Sequence, residues 1–507
     1  MQGQKTEKQT IKTIKRILAF IEELIQALFE VQAERAMKGL GLIWIAGLFV
    51  LGALVWGKIF NFGNIPFNYL DWAEISAARL AFVRSAIMSG QLPLHMPGSY
   101  ALHNVTDRFM ALPDVILSPQ MLLMPFMSIG QWVALDNIFL YLLGSWGLLW
   151  FRRKYNLSLM AFTALFLLFN FNGHIVVHFG VGHANWGGYF LFSWVAVLTV
   201  KLLQGDHSWR WVALFSLLSF FILLQGAFHQ FVWILIFLGL IGIVCWKHFT
   251  TALKALVCTG LLSAVRLLPP SLELGKFDNS FITGYTTLGH LFWAMVLPVN
   301  PAFVDNYDIP FSTARWWEFD LYIGVVGAAF LLFFGIFLWV KHRNQGALFP
   351  ELLLPLFGMV FLSIGDVYNL ISKTNIPLLD GERVSSRIIS LPFVFFLIFA
   401  AVEFQRWLDA NGRQAIVLRI VQMGLMGILV NDLWLHIKLW QPTNVVLDVL
   451  KEPVDLSVSV VANHPDAPYF TILIAGTVIT LLTLIFILFM TWREGKTKSA
   501  IQPSSAH

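Results

Sequence analysis

Charge is scarce in this sequence. Of its 507 residues only 12% are Asp, Glu, Lys or Arg, against 57% of hydrophobic types. A soluble domain carries about 25% charged residues. So few charges over this length exclude a globular surface solvated by water, and lipid must cover most of the outside. Cysteine is nearly absent. Cys245 and Cys258 fall inside or beside apolar runs, which excludes a disulfide framework. An early apolar core is missing too. The N-terminus, MQGQKTEKQTIKTIKR, is polar and basic, and the first long apolar run starts near Leu40. A cleavable signal peptide is therefore not expected, and the first spanning helix should remain as an anchor. No internal repeat is visible, and no terminal soluble domain is expected.

What is present fits a chain solvated by lipid. The 46 Phe and 20 Trp suit apolar bundles and interfacial belts. The net charge of +5 does not point to nucleic acid, because the basic residues cluster in short loops. A spanning helix needs about 20 apolar residues. Candidates lie at 39–60, 131–151, 157–172, 187–204, 209–225, 229–246, 252–268, 320–340, 348–364, 388–405, 414–432 and 469–491. The expected fold is all-α, a polytopic bundle of about 11–13 spanning helices. The stretch 115–128 is apolar but too short to span, so a re-entrant or interfacial piece is expected there. Residues 12–36 read as an amphipathic helix, with Ile14, Ile17, Leu18, Ile21, Ile25 and Leu28 at helical spacing. Such a helix lies flat on the cytoplasmic membrane surface, packs on the bundle or docks a protein partner.

The positive-inside bias predicts both ends in the cytoplasm. With that start, the inner loops carry Arg152-Arg153-Lys154, Lys201 with Arg210, Lys247 with Lys254, Lys341 with Arg343, and Arg406 with Arg413. The tail adds Arg493, Lys496 and Lys498. The long connections 61–130, 269–319, 365–387 and 433–468 then fall outside. Four parts follow: a cytoplasmic amphipathic segment at 1–38, a transmembrane core at 39–405, C-terminal transmembrane helices with an outer loop at 406–491, and a cytoplasmic tail at 492–507.

Ionisable groups at a membrane boundary need a partner or a task. In the first outer loop, Asp71 and Glu74 share one helix face. As a catalytic pair, a carboxylate there takes a proton from an acceptor hydroxyl. The structural alternative is a capping box, with Asp71 as N-cap and Glu74 near N3. Residues 73–89 read as an amphipathic helix in the outer interface. Asp107 and Asp114 follow, either as local ion pairs or as holders of a divalent cation, Mg or Mn, against a phosphate. The next outer turn holds His174, His178 and His183 within ten residues. They suit a metal or, better, hydrogen bonds to a phosphate or sugar, and no HExxH pattern is present. Gly180, Gly182, Gly187 and Gly188 beside them admit a close backbone or head group. Arg315, Trp316, Trp317 and Glu318 combine aromatic surface with both charge signs, as a sugar site or an interfacial belt does. Arg383 and Arg387, four apart at the outer end of a helix, suit a lipid-linked phosphate or simple anchoring.

The order of these features resembles the GT-C superfamily of integral membrane glycosyltransferases, and within it the bacterial YfhO-like proteins. The likeness rests on Asp71, helix 73–89 and Gly90-Gln91-Leu92-Pro93-Leu94 with Pro97. It continues through Leu117-Ser118-Pro119-Gln120-Met121-Leu122, then Asn172-Gly173-His174 to Gly182-His183. Ala264-Val265-Arg266-Leu267-Leu268-Pro269 and the pair Arg383 and Arg387 complete it. It covers residues 40–405 and departs at His95-Met96, where the family has a Trp-Asn pair. The resemblance implies a GT-C-like core in a bacterial inner membrane. It implies Asp71 as general base, a polyprenyl-phosphate sugar as donor, and a glycan, lipid or protein acceptor on the outer face. Asp114 and His183 would lie near the substrate, and Arg383 and Arg387 near the phosphate. A different class is also consistent with the residues: a non-catalytic scaffold subunit or a lipid-linked saccharide transporter. The two part on whether Asp71, Glu74, Asp114 and Arg387 converge.

Overall fold

The computed structural model describes residues 2–97, 106–273, 283–300, 316–344, 346, 348–373, 382–411, 416–442 and 461–501. Arg315 lies outside the described residues. The described chain is mainly helical, with three isolated bridges as its only extended pairings. Among the described residues, each apolar segment anticipated from the sequence is mainly helical.

Eight of the described helices are long and apolar enough to cross a membrane. They are Leu40–Ile59, Ile129–Lys154, Leu159–Val181, Ala184–Leu203, Gly324–Lys341, Ser385–Ala410, Ile416–Trp440 and Ala467–Thr497. At about 1.5 Å per residue, 20 residues cover about 30 Å of hydrocarbon. The remaining expected spans are shorter or bent. Trp209–Leu224 and Pro350–Leu362 are apolar but short, and Phe228–Val244 folds back on Trp246–Leu262 at 118°. Among the described residues the number of spans is therefore eight, or nine if the bent pair is one, against the 11–13 anticipated. The protein is an integral membrane helical bundle.

Burial sorts these helices into layers. The most apolar stretch of Ser385–Ala410 is entirely buried, and Leu159–Val181 and Ala184–Leu203 are nearly so. Leu40–Ile59, Ile416–Trp440 and Ala467–Thr497 bury few of their residues and lie at the periphery of the bundle, where lipid suits their apolar side chains. Local sequence sets the ends. Ser128 and Gln131 form a capping box that starts Ile129–Lys154, and Arg152-Arg153-Lys154 closes it where cations suit the helix dipole. Arg152 reaches both carboxylate oxygens of Glu34 at 2.5 and 2.6 Å, and Arg419 pairs with Glu30. These pairs fasten the N-terminal helices Gln2–Phe29 and Val31–Ala36 to the bundle. Ile25, Leu28 and Phe29 are buried there, whereas Ile11, Ile14, Ile17, Leu18 and Ile21 remain exposed.

Two departures from simple helices position the site. The span Leu159–Val181 breaks at Asn172, whose side chain accepts from Ile175 N and donates to Leu168 O, Phe169 O and the Tyr189 hydroxyl. The chain restarts as Gly173–Val181, which carries His174 and His178. Before the helix that follows the first span, Phe67 and Leu70 hold positive φ of 54° and 45°. Left-handed backbone at non-glycine residues costs about 1 kcal/mol or more and collects at functional sites. The helix after them opens with one widened π turn, Trp72–Ser76, and runs on as Ala77–Met88. Residues 77, 79–83 and 86 are buried, so this helix is covered on most sides rather than split into an apolar and a polar face.

Candidate functional site: a carboxylate, histidine and arginine cluster

The site lies where Leu159–Val181 ends and where Ala184–Leu203 and Ser385–Ala410 begin. Asp71 enters from the loop that follows the first spanning helix, Leu40–Ile59. It forms no cap hydrogen bond on the helix it precedes. The capping-box alternative is therefore not realised, because the Asp71 carboxylate turns instead to His183 Nε2 at 2.6 Å. His183 Nδ1 in turn meets His178 Nδ1 at 2.6 Å. With both rings neutral, one proton arrangement makes both contacts. His178 Nδ1–H donates to His183 Nδ1, and His183 Nε2–H donates to Asp71. His174 Nε2 accepts from Trp186 Nε1 at 3.0 Å, which fixes its tautomer as well. The Asp71 side chain is 34% exposed and His183 only 10%, so a molecule entering the site reaches the carboxylate first.

Gly182 makes this arrangement possible. Its φ of +108° is left-handed, and a Cβ there would lie 2.2 Å from Trp72 N and 2.7 Å from the Asp71 carbonyl carbon. Two hydrogen bonds sew the same seam: Ser76 Oγ to Gly182 O at 2.6 Å and Trp72 Nε1 to Phe179 O at 3.2 Å. The glycine-rich turn thus admits the backbone of residues 71–72, a close approach of the kind anticipated.

Arg387 supplies the positive charge. It donates to both oxygens of Glu318 at 2.6 and 2.7 Å, and its guanidinium lies 5.0 Å from the Trp186 ring centroid. Glu318, Glu382 and Asp71 all contribute to the field around it. Trp186 is the shared wall. The rings of His178, His183 and His174 lie 4.1, 5.3 and 5.9 Å from it. Glu382 pairs with His229 at 2.9 Å and accepts from Trp233 Nε1 and Val384 N. Burial pushes the Glu382 carboxyl up, but His229 and Arg387 outweigh it and hold it below the usual range. Phe228, His229, Trp233, Tyr368, Glu382 and Ile388 line a small recess beside it.

Asp114 joins the edge of the cluster. It pairs with Arg79 at 2.9 Å. Burial works to raise its carboxyl, yet Arg79 and then His229 bring it below the usual carboxylate range. The buried guanidinium of Arg266 fixes this stretch by holding the carbonyls of Met110, Leu112, Pro113 and Val115.

Of the residues singled out from sequence, Asp71, His174, His178, His183, Glu318, Arg387 and Asp114 thus meet in one region. Glu74 is exposed, one turn beyond Asp71. Arg383 is exposed, and its carbonyl accepts from Thr283 N. Asp107 belongs elsewhere, beside His464. Trp186, Glu382 and His229 were missed. Trp186 sits three residues after His183, inside the glycine-rich turn already under suspicion. Glu382 adjoins Arg383 in a loop read only for its arginines.

A divalent cation of the Mg or Mn kind wants a set of oxygen ligands. The carboxylates of Asp71, Glu318, Glu382 and Asp114 are engaged by His183, Arg387, His229 and Arg79 respectively. Among the described residues the one close group of three metal-ligating side chains lies apart from Asp71. The residues here do not fit such an ion as they stand, and no step is assigned to one.

No family model, curated protein or solved structure matches this chain. Fold and site together define a polytopic membrane protein with a buried charged cluster, reachable through one carboxylate, at one end of its spanning helices.

Proposed function

We propose that this chain is an integral membrane glycosyltransferase of the GT-C type. It moves a sugar from a polyprenyl-phosphate-linked donor to an acceptor on the outer face of a bacterial inner membrane, with both termini in the cytoplasm. The observation that supports this most is the Asp71–His183 contact at 2.6 Å on a carboxylate that is one-third exposed. Asp71 takes the proton of the acceptor hydroxyl as its oxygen bonds to the anomeric carbon. The bond from that carbon to the phosphate oxygen breaks, and polyprenyl phosphate leaves with the electron pair. His183, held by His178, keeps the carboxylate oriented and takes up part of its charge change. A positioned base of this kind contributes about 10²–10⁴ in rate.

Arg387 suits the leaving phosphate. Two of its five N–H groups are spent on Glu318 and fix its plane, and the others remain to donate to phosphate oxygens. The Trp186 face offers a flat surface for a sugar ring or prenyl chain. The acceptor, whether glycan, lipid or protein, is not specified by these residues. The exposed stripe of Ile11, Ile14, Ile17, Leu18 and Ile21 favours a second role for the N-terminal helix, on the membrane surface or against a protein partner. A scaffold subunit is the alternative that this stripe supports.

The test is release of labelled sugar from a panel of polyprenyl-phosphate sugars by the purified chain in lipid nanodiscs. Turnover of one donor class is expected. No turnover with any donor, in preparations that melt cooperatively, sinks the enzyme and leaves the scaffold.

A further inference from the structure

We propose a second site, separate from the Asp71 cluster, at which His95, Asp107 and His464 bind a borderline-soft divalent transition ion, zinc foremost. They come from two distant parts of the chain. His95 and Asp107 lie in the first outer loop, and His464 just precedes the last spanning helix, Ala467–Thr497. One ligand atom from each lies within 4.8 Å of the others. His464 Nε2 is 2.7 Å from Asp107 Oδ2, and the two imidazole rings lie 3.9 Å apart.

His95 points to a ligand independently of that proximity. It is only 1% exposed, and neither of its ring nitrogens has a hydrogen-bond partner among the described residues. A buried imidazole left in this state costs about 1–3 kcal/mol unless something takes its lone pair. Asp466 Oδ2 stands 3.6 Å from His95 Nε2, in the position of the carboxylate that metal-bound histidines habitually engage. Asp466 is itself held by Arg108 at 2.6 and 3.1 Å, and Arg108 also reaches Glu273.

The backbone holds the three residues in place. Met96 N donates to Asp107 O and Phe109 N to Leu94 O, a short antiparallel pairing that sets His95 opposite Arg108, the neighbour of Asp107. Asn463 accepts from His95 N and donates to Leu92 O, which delivers His464 one residue later. Tyr469 ties the two strands of the pairing through Leu94 O and Met110 N. Zinc donors about 2.0–2.1 Å from the ion are about 3.4 Å from one another, so no gap need close by more than about 1.4 Å. That movement falls on His464 and Asp107, whose side chains are 49% and 47% exposed and able to turn. Two imidazoles and one carboxylate suit zinc, copper or nickel, whereas magnesium and calcium want oxygen throughout. The exposed side leaves the fourth position to water.

Such an ion would pin the first outer loop to the last spanning helix whether or not the chain transfers sugars. The experiment uses the full chain in nanodiscs, stripped of metal, with Co²⁺ absorption as the probe and Zn²⁺ as competitor. One saturable Co²⁺ site is expected, displaced by Zn²⁺ and not by equimolar Mg²⁺. Its affinity should fall at least tenfold in both His464→Ala and Asp107→Asn, and stay unchanged in His183→Gln. Both weakened variants alter half-exposed groups, and their melting curves without metal should match the wild type. Absent saturable binding, binding that survives His464→Ala, or binding lost in His183→Gln overturns the site.

Discussion

A single methyl group at Gly182 tests how the carboxylate is placed. In Gly182→Ala the new Cβ would lie 2.2 Å from Trp72 N and 2.7 Å from the Asp71 carbonyl carbon. Ordinary contact begins at about 3.4 Å, so the two segments must part by about 1 Å. Both clashing atoms are backbone, and no side chain can swing aside. Overpacking of this kind costs about 1–3 kcal/mol, and the positive φ adds about 1 kcal/mol for a residue with a Cβ. The expected loss is therefore about 2–4 kcal/mol. Gly187→Ala is the natural comparison. Its Cβ would meet only Leu140 Cδ1 at 2.6 Å, the far end of a flexible side chain, and a loss below about 1.5 kcal/mol is expected. Denaturant unfolding of both variants in matched detergent measures the difference. A separation of about 1 Å also draws Asp71 away from His183, and misplacement on that scale costs about 10²-fold in a positioned reaction. Equal stability of the two variants would refute the close approach of residues 71–72 to the histidine turn.

The Arg387–Glu318 pair, 14% and 11% exposed, should show strong coupling. Arg387→Ala and Glu318→Gln should each destabilise by about 3–5 kcal/mol, and the double variant by clearly less than their sum, in a double-mutant cycle of unfolding free energies. Additive losses would mean that the pair is not formed. His290 sits outside the spanning helices, and burial lowers its pKa from 6.5 to about 4. The unfolded chain then binds more protons, so stability should be full above about pH 6.5 and fall as pH drops towards 4. His290→Gln should flatten that part of the melting-temperature profile, and an unchanged slope would clear His290.

Membrane class and helical segments were legible because lipid imposes long uncharged runs on the sequence. The count of full spans was less so. Composition does not distinguish a full crossing from Phe228–Val244 folding back at 118°, since both are equally apolar. For the site, costly polar groups in short stretches led to Asp71, the three histidines, Glu318 and Arg387. Their meeting was not written in any local pattern, because it joins residues 71, 183, 318 and 387 through tertiary packing. Spacing favoured a capping box at Asp71 and Glu74, yet the side chain that decides it, His183, lies more than a hundred residues on. Asp107 read like Asp114 by spacing, but its partner His464 is 357 positions away. Trp186 was hidden by abundance: among 20 tryptophans, nothing local marks the one that carries the cluster.

The central claim is that Asp71, oriented by His183, acts as the base. The measurement is single-turnover sugar transfer from the accepted polyprenyl-phosphate donor, with donor affinity followed in parallel, for wild type and Asp71→Asn. The account predicts that Asp71→Asn binds donor normally and transfers at least 10²-fold more slowly. Unimpaired transfer by Asp71→Asn, or a loss seen instead in the exposed Glu74→Gln, would contradict it.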